Sequence, residues 1–290
     1  GMGQSVSTSG QHLEERYFLQ KVKLGQGSFG TVWRAVDRKT GDTVAIKQLD
    51  KASLPKRGVT RQDIEREIAM MKACPHINIT QLFDHFEDDT SIYLALEYCD
   101  GGDFGDKVKE RGMMASEAEV AEWMRQMCAA VAALHGRAIC HRDIKPQNAM
   151  MSGRASSPTV EVKLGDFGIA AKMAPGRLLT DKVGTPAFMA PEMHLLPTRS
   201  GGYDLKVDIW AAGAVMVFLL VREYPFVDGS GRLMRDQLLR GDLPLWDTSS
   251  SFSVLFRAVK AAAGLERKQP SPLSMDLVRR CLNPKRCYRL

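Results

Sequence analysis

The most informative run of residues in this sequence is His141-Arg142-Asp143-Ile144-Lys145-Pro146-Gln147-Asn148. Its pattern H-R-D-x-K-x-x-N is followed by Asp166-Phe167-Gly168 and then by Ala190-Pro191-Glu192. A pattern with five fixed positions occurs by chance in roughly one in ten thousand chains of this length. The occurrence of three such motifs in this order therefore excludes coincidence.

The three motifs resemble the catalytic loop, the metal motif and the closing motif of eukaryotic protein kinases. The resemblance covers about residues 17–290, which is nearly the whole chain. It implies an α+β fold with two lobes, a small β-rich N-lobe with one main helix and a larger, mostly helical C-lobe. We expect the N-lobe to span residues 17–98 and the C-lobe residues 99–290.

The residue types in these motifs suit the chemistry that the resemblance implies. Asp143 can accept the proton of a substrate hydroxyl, because in-line attack on the γ-phosphoryl of ATP requires a carboxylate within hydrogen-bond reach. Lys145 can reach the transferred phosphoryl group. Asp166 and Asn148 carry oxygen ligands suited to Mg²⁺. The expected cofactors are therefore ATP and Mg²⁺.

A glycine-rich loop, Gly25-Gln26-Gly27-Ser28-Phe29-Gly30, lies between two predicted strands near the N-terminus. Glycines let backbone N–H groups approach phosphate oxygens without a Cβ in the way. The same G-x-G-x-x-G spacing occurs in dinucleotide folds, but there it leads into a helix, whereas Thr31-Val32 opens a strand here. We therefore expect Gly25, Gly27 and Gly30 to bind the phosphates of ATP.

Lys47 lies on the third predicted strand and is the expected phosphate-binding lysine. Apolar residues recur at helical spacing in residues 61–73 and predict a helix there. Glu67 falls on the side of this helix that can meet Lys47, and Glu65 is the competing partner. A lysine held by a glutamate can bind the α and β phosphates as a fixed point charge.

The segment from Glu97 to Asp103 follows a predicted pair of strands, and the resemblance makes it the hinge between the lobes. The backbone groups of Glu97 and Cys99 are expected to hydrogen-bond the adenine edge, with Leu96 as the gatekeeper. Asp103 is expected to meet the ribose hydroxyls. The resemblance assigns further nucleotide-binding positions to Leu24, Val32 and Ala45.

The segment between Asp166 and Glu192, called the activation segment below, contains Gly184-Thr185-Pro186. This tripeptide is similar to that of serine/threonine kinases, in which Thr185 would hydrogen-bond near Asp143 and Lys145. The expected substrates are therefore proteins with serine or threonine hydroxyls. A kinase for small molecules is disfavoured because this long segment resembles a platform for docking peptides.

Asp181 stands four residues before Thr185, where many kinases need a phosphothreonine. A permanent carboxylate at this position can pair with Arg142, as in the calcium-dependent and calmodulin-dependent kinases that the sequence resembles most. We therefore expect activity without phosphorylation of the activation segment. Thr180 remains a candidate for regulatory phosphorylation.

Some positions depart from the family pattern or leave alternatives open. Gln147 replaces a glutamate that is common in kinases preferring basic substrates, which puts that preference in doubt. Either Arg286 or Arg289 is the expected partner of Glu192. A pseudokinase acting as a nucleotide-binding scaffold is the alternative function, although such proteins usually lack Lys47, Asp143 or Asp166. Residues 246–272 fit the family poorly and receive no functional assignment.

The N-terminal residues 1–16 are polar and are expected to be disordered. Gly1 before Met2 looks like a scar of tag removal, and the run from Met2 to Ser7 then matches the N-myristoylation pattern M-G-x-x-x-[ST]. Two interpretations remain open: Gly3 is acylated, or the segment is an uninformative polar tail. Because one myristoyl chain binds membranes only marginally, any membrane association would be reversible.

The composition is that of an ordinary folded protein, with 290 residues, 44% hydrophobic and 26% charged. Its net charge of +6 suits any anionic partner, but the basic residues near 51–61 are more typical of a solvated face, and no nucleic acid is expected. Six cysteines without a C-x-x-C pair predict reduced thiols in a cytoplasmic protein, and we expect the protein to be a monomer. The apolar run 209–221 is shorter than the ~20 residues that span a bilayer and predicts a core helix.

Overall fold

A computed structural model of the chain describes residues 12–26, 30–110, 115–153, 160–243 and 270–290. These residues form a β-sheet N-lobe and a helical C-lobe, which confirms the predicted α+β fold. The N-lobe is built on an antiparallel sheet with the strand order β1-β2-β3-β5-β4. Its strands are β1 (Tyr17–Gln26), β2 (Gly30–Asp37), β3 (Thr43–Asp50), β4 (Leu82–Glu87) and β5 (Ser91–Glu97).

A short helix, α1 (Leu13–Arg16), precedes the sheet. Leu13 is buried and belongs to an apolar cluster with Tyr17 and Phe86. Arg16 also pairs with Asp37 on β2 at 2.8 Å. The expectation of disorder is therefore wrong for residues 13–16, because one leucine meets an apolar cluster that composition cannot reveal. Residues 1–11 lie outside the described residues, and with them the candidate myristoylation site Gly3.

The main helix of the N-lobe, α2 (Arg61–Ala73), spans the predicted range. Thr60 caps its first turn, since the Thr60 hydroxyl accepts the backbone N–H of Asp63 at 3.2 Å and the Asp63 carboxylate accepts that of Thr60 at 2.8 Å. The buried residues of the helix lie on one face and are Ile64, Glu67, Met70 and Met71. This apolar face therefore carries a glutamate into the interior.

The C-lobe is mostly helical. Among the residues that the structure describes, its α-helices are α3 (Phe104–Glu110), α4 (Glu117–His135), α5 (Pro191–His194), α6 (Lys206–Val221), α7 (Arg235–Arg240) and α8 (Pro272–Cys281). The apolar run predicted as a core helix forms most of α6, which packs between α4 and α8 and buries Trp210 completely. Among the described residues, no helix has the length and apolar character needed to cross a membrane.

Two small antiparallel ribbons lie close to the predicted site. One pairs β6 (Ile139–Cys140) with β9 (Ala171–Lys172), and the other pairs β7 (Ala149–Ser152) with β8 (Glu161–Leu164). The β7–β8 ribbon begins directly after Asn148 and ends just before Gly165-Asp166. It therefore connects the two predicted metal ligands. Most of the region 246–272 lies outside the described residues.

Candidate active site

The carboxylate of Asp143 lies at the centre of a hydrogen-bonded group between β6 and β7. Its Oδ2 accepts from Lys145 Nζ at 2.7 Å and from Asn148 Nδ2 at 3.2 Å. Its Oδ1 accepts from the backbone N–H of Thr185 at 3.0 Å and from the Thr185 hydroxyl at 2.8 Å. Lys145 Nζ also donates to that hydroxyl at 3.0 Å. The structure thus joins the catalytic loop to the activation segment at the predicted residues.

A buried carboxylate on α6 fixes the backbone of this loop. Asp208 accepts the backbone N–H groups of His141 and Arg142, each at 2.9 Å, and contacts His135 Nε2 at 2.9 Å. Burial alone would raise the pKa of Asp208, but His135, the charge of His141 and the backbone N–H of Arg142 together outweigh it and the pKa is lowered. Arg142 has a left-handed φ of 69°, a conformation that costs on the order of 1–3 kcal/mol, and the Asp208 hydrogen bonds help to hold it.

Asp208 was not among the site residues predicted from the sequence. Its only local signal was a charged residue beside the apolar run 209–221, a pattern that also fits an ordinary helix cap.

Lys47 lies between the two carboxylates of Glu67 and Asp166. Its Nζ is 2.7 Å from Glu67 Oε1 and 3.4 Å from Asp166 Oδ1. Burial alone would lower the pKa of Lys47, but the two carboxylates outweigh it and the pKa is raised. The competing candidate, Glu65, is exposed and pairs with Arg61 at 2.9 Å. The structure therefore pairs Lys47 with Glu67, and the lysine is positioned as a permanent cation.

Asp166 and Asn148 provide oxygen atoms of the type that Mg²⁺ prefers. Burial alone would raise the pKa of Asp166, but Lys47, His141 and Lys145 together outweigh it and the pKa is lowered, so the carboxylate is anionic at neutral pH. The Asp166 side chain remains 36% exposed, which leaves room for a second cation. The amide nitrogen of Asn148 donates to the Asp143 carbonyl at 2.8 Å, which leaves the amide oxygen to serve as a ligand. The chemistry of these donors fits Mg²⁺.

The structure gives different surroundings to the glycines of the predicted phosphate loop, so glycine is not needed at each position for the same reason. Gly27 lies outside the described residues. A Cβ at Gly25 would meet no atom of the described residues within 4 Å, so among them nothing fills the space beside this backbone. A Cβ at Gly30 would overlap the backbone carbonyl of Gln48 on β3. Glycine is therefore required at position 30 by the close approach of two strands, whatever it does for phosphate.

The predicted adenine-binding positions lie on the sheet and at the segment that leaves it. Ala45 on β3 pairs in register with Leu96 on β5, and Val32 on β2 pairs with Lys47 on β3. Leu24, on β1, is 39% exposed. These strands therefore bring the candidate side chains to the part of the N-lobe that holds Lys47.

The segment of residues 97–103 connects the two lobes. The backbone N–H of Glu97 donates to the Gln81 carbonyl at 2.9 Å, and the Glu97 carboxylate lies 2.8 Å from Lys163 Nζ. Cys99 is buried, and burial raises the pKa of its thiol to about 12. The thiol is therefore protonated and unreactive at neutral pH.

Asp103 has a local role besides the predicted ribose contact. Its Oδ1 accepts the backbone N–H of Asp106 at 3.0 Å, and its carbonyl accepts that of Lys107 at 3.1 Å. Asp103 therefore stabilises the start of α3. Burial raises the pKa of this carboxyl group.

Arg142 of the catalytic loop contacts Asp181 of the activation segment. Their side chains lie 3.1 Å apart, with Arg142 6% and Asp181 69% exposed. Arg142 also donates to the carbonyl of Ile169 at 2.6 Å and to the hydroxyl of Tyr203 at 3.2 Å. The Tyr203 hydroxyl in turn donates to the Asp181 carbonyl at 2.7 Å. Asp181 is thus held by its backbone as well as by its charge, and the neighbouring Thr180 is exposed.

Of the two arginines predicted as partners of Glu192, the structure pairs Arg289 with it. Its guanidinium makes two hydrogen bonds to the Glu192 carboxylate, at 2.7 and 3.0 Å. Arg286 instead pairs with Asp204 at 3.4 Å.

Gln147 is exposed and donates to the Tyr224 hydroxyl at 3.4 Å.

The chain is similar in sequence to known proteins. The family model described as protein kinase domain matches residues 18–290. Calcium-dependent protein kinase 5 of Plasmodium berghei (strain Anka) is 39% identical over 223 residues, which are 77% of this chain and 38% of that protein. Putative CBL-interacting protein kinase 27 of Oryza sativa subsp. japonica is 36% identical over 245 residues, 82% of this chain and 58% of that protein.

A third relative, CBL-interacting serine/threonine-protein kinase 15 of Arabidopsis thaliana, is 36% identical over 228 residues, 78% of this chain and 51% of that protein. The chain therefore spans only part of the length of these three relatives. The predicted resemblance to protein kinases, with calcium-dependent kinases among the relatives, is confirmed. Since the family model covers nearly the whole chain, this chain belongs to the protein kinase family.

Proposed function

We propose that this chain is an ATP-dependent serine/threonine protein kinase, which transfers the γ-phosphoryl group of Mg·ATP to serine and threonine hydroxyls of protein substrates. The observation that carries this proposal is the contact of Asp143 with both Lys145 and Thr185. The arrangement places a carboxylate, an ammonium group and the activation segment around one point. Such a point suits a hydroxyl that must lose a proton while it attacks a phosphoryl group.

Each residue has a separate task in this reaction. Asp143 orients the substrate hydroxyl and accepts its proton, and Lys145 stabilises charge on the transferred phosphoryl group. Lys47, fixed by Glu67, binds the α and β phosphates. Asp166 and Asn148 would hold Mg²⁺, which neutralises charge on the phosphate oxygens when bound.

The hinge supports the division into an N-lobe of residues 17–98 and a C-lobe of residues 99–290. ATP would lie between the lobes, with its adenine edge against the backbone of Glu97 and Cys99. The preference for serine and threonine follows from Thr185, which contacts Asp143 and Lys145 as expected for this class, and from the name of the Arabidopsis relative.

The alternative is a pseudokinase that binds nucleotide as a scaffold. The presence of Lys47, Asp143 and Asp166 in contact with their expected partners argues against it. Transfer of labelled phosphate from ATP to a peptide library separates the two functions. A kinase labels serine and threonine peptides, whereas a scaffold binds ATP and labels none.

We further propose that the kinase is active without phosphorylation of its activation segment. The carboxylate of Asp181 takes the place of a phosphate opposite Arg142, at 3.1 Å. This pair holds the segment next to Asp143 in a constant position. Thr180, which is exposed, could add a second level of control by phosphorylation.

The substitution Asp181→Ala is expected to lower kcat about tenfold in the unphosphorylated protein. The reason is a shift of the activation segment beside Asp143: the exposed ion pair itself is worth only about 0–1 kcal/mol, but a displacement of about 1 Å at the reacting groups can cost up to about a hundredfold in rate. Peptide phosphorylation rates measure the effect. Asp236→Ala, an exposed position on α7, is the control and should leave kcat unchanged. An unchanged kcat in Asp181→Ala would refute the proposed role of the pair.

For the N-terminus we propose myristoylation of Gly3 and reversible membrane association of an otherwise cytoplasmic monomer. The support is the pattern from Met2 to Ser7. Mass spectrometry of the protein from its own cells should find an acylated Gly3. An unmodified glycine would contradict this proposal.

A further inference from the structure

The strongest unassigned feature is a buried lysine beside the hinge. Lys163 lies on β8, and its side chain is 7% exposed. Its Nζ is 2.8 Å from Glu97 Oε1, at the N-lobe end of the hinge. A second contact, to Glu161 Oε2 at 3.3 Å, involves a side chain that is 50% exposed and is therefore screened by solvent. Glu97 is thus the main partner of Lys163.

Lys163 remains charged in this setting. Burial alone would lower the pKa of its ammonium group, but Glu97 and Glu161 outweigh it and the pKa is raised. A hydrogen bond between two charged groups at partial burial is stronger than one between neutral groups. The contact is therefore suited to hold Glu97 in one position.

Glu97 is also tied to the N-lobe. Its backbone N–H donates to the Gln81 carbonyl at 2.9 Å, and its Oε2 accepts the Gln81 N–H at 3.3 Å. Gln81 comes directly before β4. The Glu97 carboxylate therefore links the residue before β4 in the N-lobe to Lys163 in the C-lobe.

The other end of the hinge is attached to the same ribbon as Lys163. The backbone N–H of Gly101 donates to the Met151 carbonyl at 2.8 Å, and the Met151 N–H donates to the Gly102 carbonyl at 2.7 Å. Met151 lies on β7, which pairs with β8. The β7–β8 ribbon thus fixes both ends of the hinge.

We propose that Lys163 is a positioning residue for nucleotide binding, which holds the adenine-facing backbone of the hinge in place through Glu97. This inference rests on the proposed function, in which Glu97 and Cys99 face the adenine edge. Lys163 does not touch the nucleotide itself. The β7–β8 ribbon that carries Lys163 also connects Asn148 to Asp166. Lys163 therefore fixes the position of the hinge relative to the residues proposed to hold Mg²⁺.

The test compares two probes, ATP and inorganic tripolyphosphate, each with Mg²⁺, by calorimetric titration of the full chain. Tripolyphosphate has the phosphates but no base, so its affinity does not depend on the hinge. Lys163→Met should weaken ATP binding about tenfold, as expected for the loss of one charge-assisted hydrogen bond, and change tripolyphosphate binding less than about twofold. Lys163→Arg should retain most of the ATP affinity.

Three further variants guard against a loss of folding. Glu97→Gln removes the charge from the other side of the pair and should give the same selective loss. The double variant Lys163→Met, Glu97→Gln should be no weaker than Lys163→Met alone, since the pair is already broken. Lys51→Met breaks another ion pair of the N-lobe, with Glu87 at 2.7 Å, and should leave ATP affinity unchanged.

The outcomes separate this inference from the proposed function. If the unaltered protein prefers ATP to tripolyphosphate and both Lys163→Met and Glu97→Gln keep that preference, the inference is overturned and the kinase proposal stands. Equal weakening of both probes would overturn it too, because that is a general loss of structure. If the unaltered protein binds both probes equally, the hinge assignment fails and the inference falls with it.

Discussion

Asp143→Asn is expected to lower kcat for peptide phosphorylation about a thousandfold while the protein remains folded. The asparagine side chain is nearly the same shape but cannot accept a proton from the substrate hydroxyl, a task worth roughly two to four orders of magnitude. It also has one acceptor oxygen in place of two, whereas Asp143 accepts from Lys145 on one side and Thr185 on the other.

Steady-state kinetics and ATP titration together measure this effect. The affinity for ATP should change less than about threefold, because the adenine and phosphate contacts proposed here lie elsewhere. Asp236→Asn, the same change at an exposed position on α7, should behave like the unaltered protein. An Asp143→Asn variant with more than a tenth of the original kcat would rule out Asp143 as the proton acceptor.

Asp208→Asn is expected to lower both the stability and the activity of the protein. The side chain is completely buried and accepts the backbone N–H groups of His141 and Arg142. An amide NH₂ in this place would face one of those donors, and a buried polar group without a partner costs about 1–3 kcal/mol. We therefore expect the free energy of unfolding to fall by about 3 kcal/mol.

The loss of activity in Asp208→Asn should exceed what unfolding explains. The catalytic loop would move, and a shift of about 1 Å in a reacting group can cost about a hundredfold in rate. Urea denaturation and kcat below the unfolding transition measure the two effects. Asp236→Asn, at the exposed position on α7, is the matched control. Wild-type kcat in folded Asp208→Asn would mean that Asp208 contributes stability alone.

The short motifs predicted most of the site because phosphoryl transfer requires particular residue types at short spacing. The run from His141 to Asn148 already contains the carboxylate, the ammonium group and one metal ligand. Helical spacing also placed Glu67, rather than Glu65, on the buried face of α2. These features are local, so they can be recognised in the sequence before any tertiary contact is known.

The residues that sequence analysis missed act through distant contacts. Asp208 meets Arg142 across 66 positions, and Tyr203 meets it across 61. Lys163 reaches Glu97 only once the β7–β8 ribbon lies against the hinge. A single aspartate, tyrosine or lysine has no local pattern that separates these roles from a solvated position, so tertiary structure is needed to find them.

At two predicted positions the structure gives a reason for the residue type that the motifs do not reveal. Gly30 is required because β2 passes close to the carbonyl of Gln48. Asp103 stabilises the start of α3 through the N–H of Asp106. In both cases the residue type stabilises the fold and also suits the proposed nucleotide binding. A motif alone cannot separate these two roles.

The decisive measurement is phosphate transfer by protein that carries no phosphate itself. The chain is treated with phosphatase, its intact mass is verified, and γ-labelled ATP is offered with peptide libraries containing serine, threonine or tyrosine. We predict rapid labelling of serine and threonine peptides, no labelling of tyrosine peptides, and loss of labelling in Asp143→Asn. Tight ATP binding without any transfer, or transfer only after the activation segment is phosphorylated, would contradict a kinase held active by Asp181.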